Sequence, residues 1–343
     1  MSRALRVLQP FLSVILGLTL GLLVTLIAGE SPWHVLKILA HSAFGSPYDI
    51  GMTIFYATPL IFTGLSVAIA FQCGLFNIGA EGQLVLGALA AAVVGIVLPG
   101  LPWPLAPIAA GTAAFGMGAF WGAIPGWLRA RRGSHEVINT IMLNFVAAGL
   151  ASYATLYLFR NHESWNPETA DVGAGYLIAK LPFLGGAPVN SSLFLALAAA
   201  AAYWFFMWRT PPGFEIRAVG QSELAARTAG VDPGRARILA MALAGGVAGL
   251  VGVFEVLGNA GRFKVGFSPD YGFIGIAVAL LGRGHPLGVV ASALLFGALH
   301  KGTADLDLDT ENVTKDLSLI LQALVILCVS AEGLWDWTRR RKA

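Results

Sequence analysis

Two carboxylates stand inside or at the edge of long apolar runs, Glu81 and Glu255, and each has a side-chain amide within four residues. An ionisable group in hydrocarbon is costly to hold alone. It has to reach water, a hydrogen-bond partner or an opposite charge. Glu81 lies in residues 71–83, FQCGLFNIGAEGQ, where Gly74, Gly79 and Gly82 permit a tight bend and close helix contact. Two readings fit. Asn77 can cap a helix while Glu81 serves its first turn, where the helix dipole favours an anion. Alternatively Asn77, Glu81 and Gln83 line or gate a solute pathway. Glu255 and Asn259 are one helical turn apart. They could line a wet cavity, cap their helix or hold a neighbouring loop, and the sequence leaves these readings equal.

Other chemistry has little to stand on. The chain contains no GxxxxGK[ST] phosphate loop, so any ATP-driven work needs nucleotide bound by another chain. His135-Glu136-Val137-Ile138-Asn139 resembles a zinc-protease motif, but Asn139 stands where the second histidine is required. No GxSxG motif is present, and Cys73 and Cys328 lack CxxC spacing. No catalytic residue, metal site or cofactor is therefore expected. One further segment stands out, residues 214–231, FEIRAVGQSELAARTAGV. From Ser222 it reads as a short helix ending at Gly230, with Ala225, Ala226 and Ala229 as small residues a turn apart. Arg217, Arg227, Arg235 and Arg237 surround it. It fits an amphipathic helix on an anionic membrane face, or a knob docking into a groove on a cytoplasmic partner.

The elements that must position these residues are membrane spans. Apolar residues make up 56% of the 343-residue chain and charged residues only 12%, against about 25% charged in ordinary soluble domains. The surplus apolar surface needs lipid as its solvent. Crossing a hydrocarbon core of about 30 Å takes about 20 apolar residues. Such runs occur near 9–28, 51–72, 75–98, 104–128, 137–159, 190–208, 238–257, 270–282, 286–302 and 315–332. The eighth and ninth are short and could be tilted, broken or re-entrant. The run after Arg3 and Arg6 reads as an uncleaved first helix rather than a signal peptide.

Alternating through ten spans from a cytoplasmic N-terminus places most of the 22 basic residues inside. These include Arg129, Arg131 and Arg132, those of the 209–237 loop, Arg283 and the tail Arg339, Arg340, Arg341 and Lys342. The expectation is an all-α polytopic membrane protein with about ten transmembrane helices and both termini cytoplasmic. Residues 1–343 form one transmembrane domain, with 209–237 a cytoplasmic loop and 160–189 an extracytoplasmic loop. Residues 29–50 read as an interfacial helix with aromatic anchors.

Residues 74–83, GLFNIGAEGQ, resemble the signature region of ABC-importer permeases for simple sugars and nucleosides, relatives of the ribose and branched-chain amino acid permeases. Residues 217–220 with Ala225, Ala226, Ala229 and Gly230 look like that family's cytoplasmic coupling segment. Residues 266–273 and 276–282 are similar to its late spans. The resemblance covers about residues 50–335. It implies a type II-like importer fold in the bacterial cytoplasmic (inner) membrane, working by alternating access. It also implies a second, different permease subunit, a cytoplasmic ABC ATPase, an extracytoplasmic substrate-binding protein and a small-molecule substrate, with no nucleic acid. Coupling falls on Arg217, Gly220, Ala225, Ala226, Ala229 and Gly230. Chain length and the 160–189 loop are similar to the longer permease of nucleoside systems, so purine nucleosides are the expected cargo, with a ribose-like sugar as the alternative. A stand-alone secondary transporter would need an ion site in mid-membrane, for which only Glu81 and Glu255 are on offer.

Overall fold

The computed structural model describes residues 3–310 and 316–330. The basic tail, Arg339 to Lys342, lies outside the described residues. Helices in chain order are α1 (Arg3–Val24), α2 (Pro32–Phe44), α3 (Pro47–Gln72), α4 (Ala80–Val97), α5 (Leu105–Arg132) and α6 (Glu136–Tyr153). They continue as α7 (Ser192–Arg209), α8 (Pro211–Gln221), α9 (Glu223–Thr228), α10 (Pro233–Gly249) and α11 (Tyr271–Leu281). Last come α12 (Pro286–Ala304), α13 (Leu306–Asp309) and α14 (Leu317–Ser330). Helices α6 and α10 run on into π-helical segments, Ala154–Leu158 and Val253–Ala260. Strand pairing among the described residues is confined to three isolated bridges, 160 with 169, 168 with 264 and 180 with 190.

The protein is all-α and polytopic, but the count of ten spans is corrected. Seven described helices are long and apolar enough to cross a membrane: α3, α4, α5, α6 with its π segment, α7, α10 with its π segment, and α12. Among the described residues, the runs 9–28, 270–282 and 315–332 give shorter apolar stretches of helix, Leu12–Val24, Tyr271–Leu281 and Leu319–Cys328. Helix α11 shows why a run of apolar letters overcounts. Its 11 residues extend about 16 Å at 1.5 Å per residue, roughly half of the hydrocarbon core. It is cut at both ends by left-handed backbone, at Asp270 (φ 62°) before it and at Arg283 (φ 51°) after it. Alternation through ten spans therefore loses its basis, and with it the placement of both termini on the cytoplasmic side.

The chain forms two compact units. One comprises Thr58–Leu181 and Pro188–Ala293. Its centre is the crossing of α5 and α10, where glycine faces glycine. A Cβ added to Gly122 would lie 3.0 Å from the Gly245 Cα, and one added to Gly245 would run into the carbonyl of Gly118. Small residues let helix backbones approach closely, which lipid-embedded packing relies on. Around this seam, Leu86, Leu89, Trp121, Tyr176, Val256 and Phe263 form the apolar core. Residues 160–178 are irregular yet tied down. Arg262 pairs with Glu168 at 2.8 Å and with Asp171 at 2.7 Å, and the Phe263 N–H donates to Thr169 Oγ1 at 3.1 Å. Hydrogen bonding from Ser164, with Arg262 beside it, holds the Glu168 carboxyl below its ordinary value.

The other unit comprises the described residues of Met1–Ala57, Pro182–Ala187 and Leu294–Ala343. There α1 packs on α14 through Gly17 and Gly21 against Val325 and Leu321. The buried Lys301 is neutralised by Asp305 at 2.6 Å and Asp49 at 3.3 Å.

Candidate functional site

Helix α3 stops at Gln72, and the chain turns through Gly74 (φ 71°) before α4 begins at Ala80. A turn of polar backbone among spans must satisfy its groups internally. Two amides do much of this. Asn77 Nδ2 donates to Gln83 Oε1 at 2.8 Å and to Ser66 Oγ at 3.2 Å, while Gln83 Nε2 donates back to Asn77 Oδ1 at 3.1 Å. Asn77 Oδ1 also accepts the Gly79 N–H at 3.1 Å. Both side chains are fully buried. From α6, Asn144 Nδ2 donates to the Ile78 carbonyl at 2.9 Å, and its Oδ1 accepts the Gly82 N–H at 2.9 Å.

This bracing presents Glu81 in the first turn of α4. Glu81 Oε2 accepts the Gly272 N–H at 2.7 Å, from the start of α11. Ser268 stands beside it in the wall of a shared cavity. Gly272 has to be glycine here, because a Cβ would fall 2.6 Å from the Glu81 Cα. Two helix N-termini thus meet at one carboxylate, the placement that helix dipoles favour for negative charge. Glu81 borders a cavity of about 230 Å³ whose walls include Asn144, Ala148 and Ser152 of α6 and Phe263, Phe267 and Ser268. Phe263 and Phe267 meet edge to face, with ring centroids 5.7 Å apart. None of the described residues lining this cavity is basic.

Glu255 is elsewhere. It is buried in the π-helical continuation of α10 and accepts Asn259 Nδ2 on both carboxylate oxygens at 3.2 Å. Neither Glu255 nor Asn259 lines the Glu81 cavity.

The segment 211–231 folds as two helices. Thr210 caps α8 and Ser222 caps α9, accepting the Gly213 and Ala225 N–H groups at 3.3 Å each. Gly230 (φ 84°) ends the second turn, and Asp232 caps α10. Glu223 joins α9 to α10, pairing with Arg237 and, at 2.7 Å, with Arg227. Arg237 is the main reason that the Glu223 carboxyl lies below its ordinary value, with Arg227 adding to the effect. Ala225 and Ala229 are exposed, as is Leu224, whereas Ala226 is only 3% exposed and packs within the chain. Arg217 is also engaged internally. Its Nε donates to the Met207 carbonyl at 3.0 Å, and its guanidinium lies over the Trp208 ring. Gly220 sits against the Gln72 carbonyl and the Cys73 backbone, so α8 rests on the turn that leads to Glu81.

The permease component of branched-chain amino acid transport systems is the family whose profile matches, over residues 50–330. The chain belongs to this permease family. It is 38% identical to the guanosine ABC transporter permease protein NupP of Bacillus subtilis, over 96% of this chain and 94% of that protein. It is 36% identical to the glucose ABC transporter permease protein TsgB13 of Haloferax volcanii, over 93% and 85%. It is 32% identical to the nucleoside ABC transporter permease protein NupB of Lactococcus lactis, over 96% and 92%.

The permease is thus a multi-pass membrane subunit of an ABC importer for a small polar solute, and not itself an ATPase. Of the pathway candidates, only Glu81 reaches the cavity. Asn77 and Gln83 are spent on the turn beneath it. Asn144 carried the decisive bracing without being singled out in the sequence. Its signal was an amide within the apolar run 137–159.

Proposed function

We propose that the permease moves nucleosides, purine nucleosides foremost, by alternating access. A separate ABC ATPase docks on the cytoplasmic 209–237 segment, a second and different permease completes the membrane unit, and an extracytoplasmic binding protein delivers cargo near the 160–189 loop. The observation that carries the cargo class is the Glu81 cavity. It offers hydrogen-bond acceptors and aromatic edges, with no basic residue among the described residues lining it. An amino acid or a phosphate ester brings an anion, which would need a cationic or donor-rich wall. A neutral solute with hydroxyl and N–H donors needs none. Nucleosides, rather than free sugars, are favoured by the similarity to the guanosine and nucleoside permeases.

The contact of Gly220 with residues 72–74 supports coupling through this segment. A push on α8 and α9 is transmitted to the turn that carries Asn77, Gln83 and Glu81. Among the coupling residues, the exposed Ala225 and Ala229 with Leu224 form the docking face. Arg217, Gly220, Ala226 and Gly230 give that face its shape.

A second reading, a simple-sugar importer, is favoured by the glucose permease relative. The test is uptake of labelled guanosine, ribose and glucose by cells expressing the complete importer in a host lacking its own nucleoside uptake. Guanosine uptake, competed by inosine and not by ribose, is expected. Uptake of glucose or ribose alone would establish the sugar reading.

A further inference from the structure

We infer that Glu81 is the cargo-contacting residue of the pathway, and that its carboxylate accepts hydrogen bonds from the adjacent hydroxyls of the cargo's sugar ring. The inference rests on a neutral, sugar-bearing cargo and holds for a nucleoside or a free sugar alike.

A carboxylate has about four acceptor sites. The Gly272 N–H takes one, which leaves acceptors for the cavity that Glu81 borders. Among the described residues of the wall, no cation competes for them. The neighbouring amide is not available for this work, because Asn144 spends its Nδ2 on Ile78 and its Oδ1 on Gly82. Two hydroxyls on adjacent ring carbons match the two oxygens of a carboxylate, and hydrogen bonds to a charged acceptor are stronger than neutral ones. At about 230 Å³, the cavity is smaller than the roughly 300–1,000 Å³ of sites for drug-sized ligands. It suits one sugar ring, with any attached base left towards Phe267, which offers a stacking surface.

The position also suits a transporter. Discontinuous helices line the substrate sites of secondary transporters, and here the short helix α11 starts on Glu81 among the spans. With a carboxylate already there, a phosphorylated cargo would meet like charge. The site therefore accepts nucleosides or sugars and rejects nucleotides and sugar phosphates.

A purely structural role predicts something different. If Glu81 only anchors α11, Glu81→Gln preserves the function, because its amide oxygen can still accept the Gly272 N–H. If Glu81 binds cargo, Glu81→Gln loses the charged acceptor. The cost of such a hydrogen bond corresponds to about tenfold or more in affinity.

The test is saturation-transfer NMR on the purified full-length chain in lipid nanodiscs, with guanosine, ribose, glucose and guanosine monophosphate as probes and no binding protein added. The expected result is transfer to the ribose protons of guanosine, none to the monophosphate, and loss of transfer in a folded Glu81→Gln protein. Ala148→Leu, which fills the cavity from α6 without touching the brace, should also lose it. Equal transfer in wild type and Glu81→Gln, or no transfer from any neutral probe, would overturn the inference. Should Glu81→Gln fail to fold, Ala148→Leu decides, and wild-type transfer in that variant overturns it. Transfer to glucose or ribose but not guanosine, abolished by Glu81→Gln, would sustain the role of Glu81 while ending the nucleoside reading.

Discussion

Asn77 and Gln83 are bonded to each other through both ends of their amides, at 2.8 and 3.1 Å, in a fully buried ring at the foot of α4. The pair converts an interruption between two spans into a fixed support. Gln83→Leu should cost about 1–3 kcal/mol, because it removes one partner from each end of a buried amide and leaves Asn77 only Ser66 and the Gly79 N–H. The double variant Asn77→Leu/Gln83→Leu should cost less than the sum of the singles, since partners in one network are not additive. Thermal unfolding of the purified variants checks both statements.

The α5–α10 seam should tolerate no side chain. Gly122→Val drives a branched group into the Gly245 backbone, and overpacking costs about 1–3 kcal/mol or more. Gly116 lies on the same helix with nothing within 4 Å of an added Cβ. Gly116→Val should therefore accumulate in membranes normally while Gly122→Val does not, as quantitative blotting of membrane fractions would show.

The docking proposal separates neighbouring alanines. Ala225→Trp and Ala229→Trp should leave the permease folded and weaken co-purification of the ATPase about five- to 150-fold, from about 1–3 kcal/mol of overpacking. Ala226→Trp should lower expression instead, because Ala226 is buried within the chain. Normal co-purification with Ala225→Trp and Ala229→Trp would remove α9 from the interface.

Acid should loosen α9. Glu223 is held below its ordinary value of 4.5 mainly by Arg237, then by Arg227. A carboxyl with a depressed folded value contributes its stabilisation above the unfolded value and loses it as pH falls through the folded value. Hydrogen exchange of the 224–231 amides, normalised for intrinsic rates, should accelerate below about pH 4.5 in the wild type. Glu223→Gln should show the faster exchange already at neutral pH and no further acid step.

The membrane class, the apolar runs that contain the seven long helices, the interruption near residue 77 and the candidacy of Glu81 were legible in the sequence, whereas the number of spans was not. They are properties of composition and of run length along the chain. The family signature at residues 74–83 was legible for the same reason. The span near 270–282 was misread because an apolar run says nothing of where its helix ends. In α11 the ends are set by left-handed residues at 270 and 283.

The division of labour among the polar residues belongs to the tertiary structure alone. Glu81 meets Gly272 across 191 residues of sequence, and Asn144 meets Gly82 across 62. The same packing turns Ala226 inward and leaves Ala225 exposed, and it separates Glu255 from the cavity that Glu81 borders. Local spacing names the groups that lipid cannot leave unpaired. Which partner satisfies each one depends on which helices are brought together, and here the glycine seams and turns between helices made that choice.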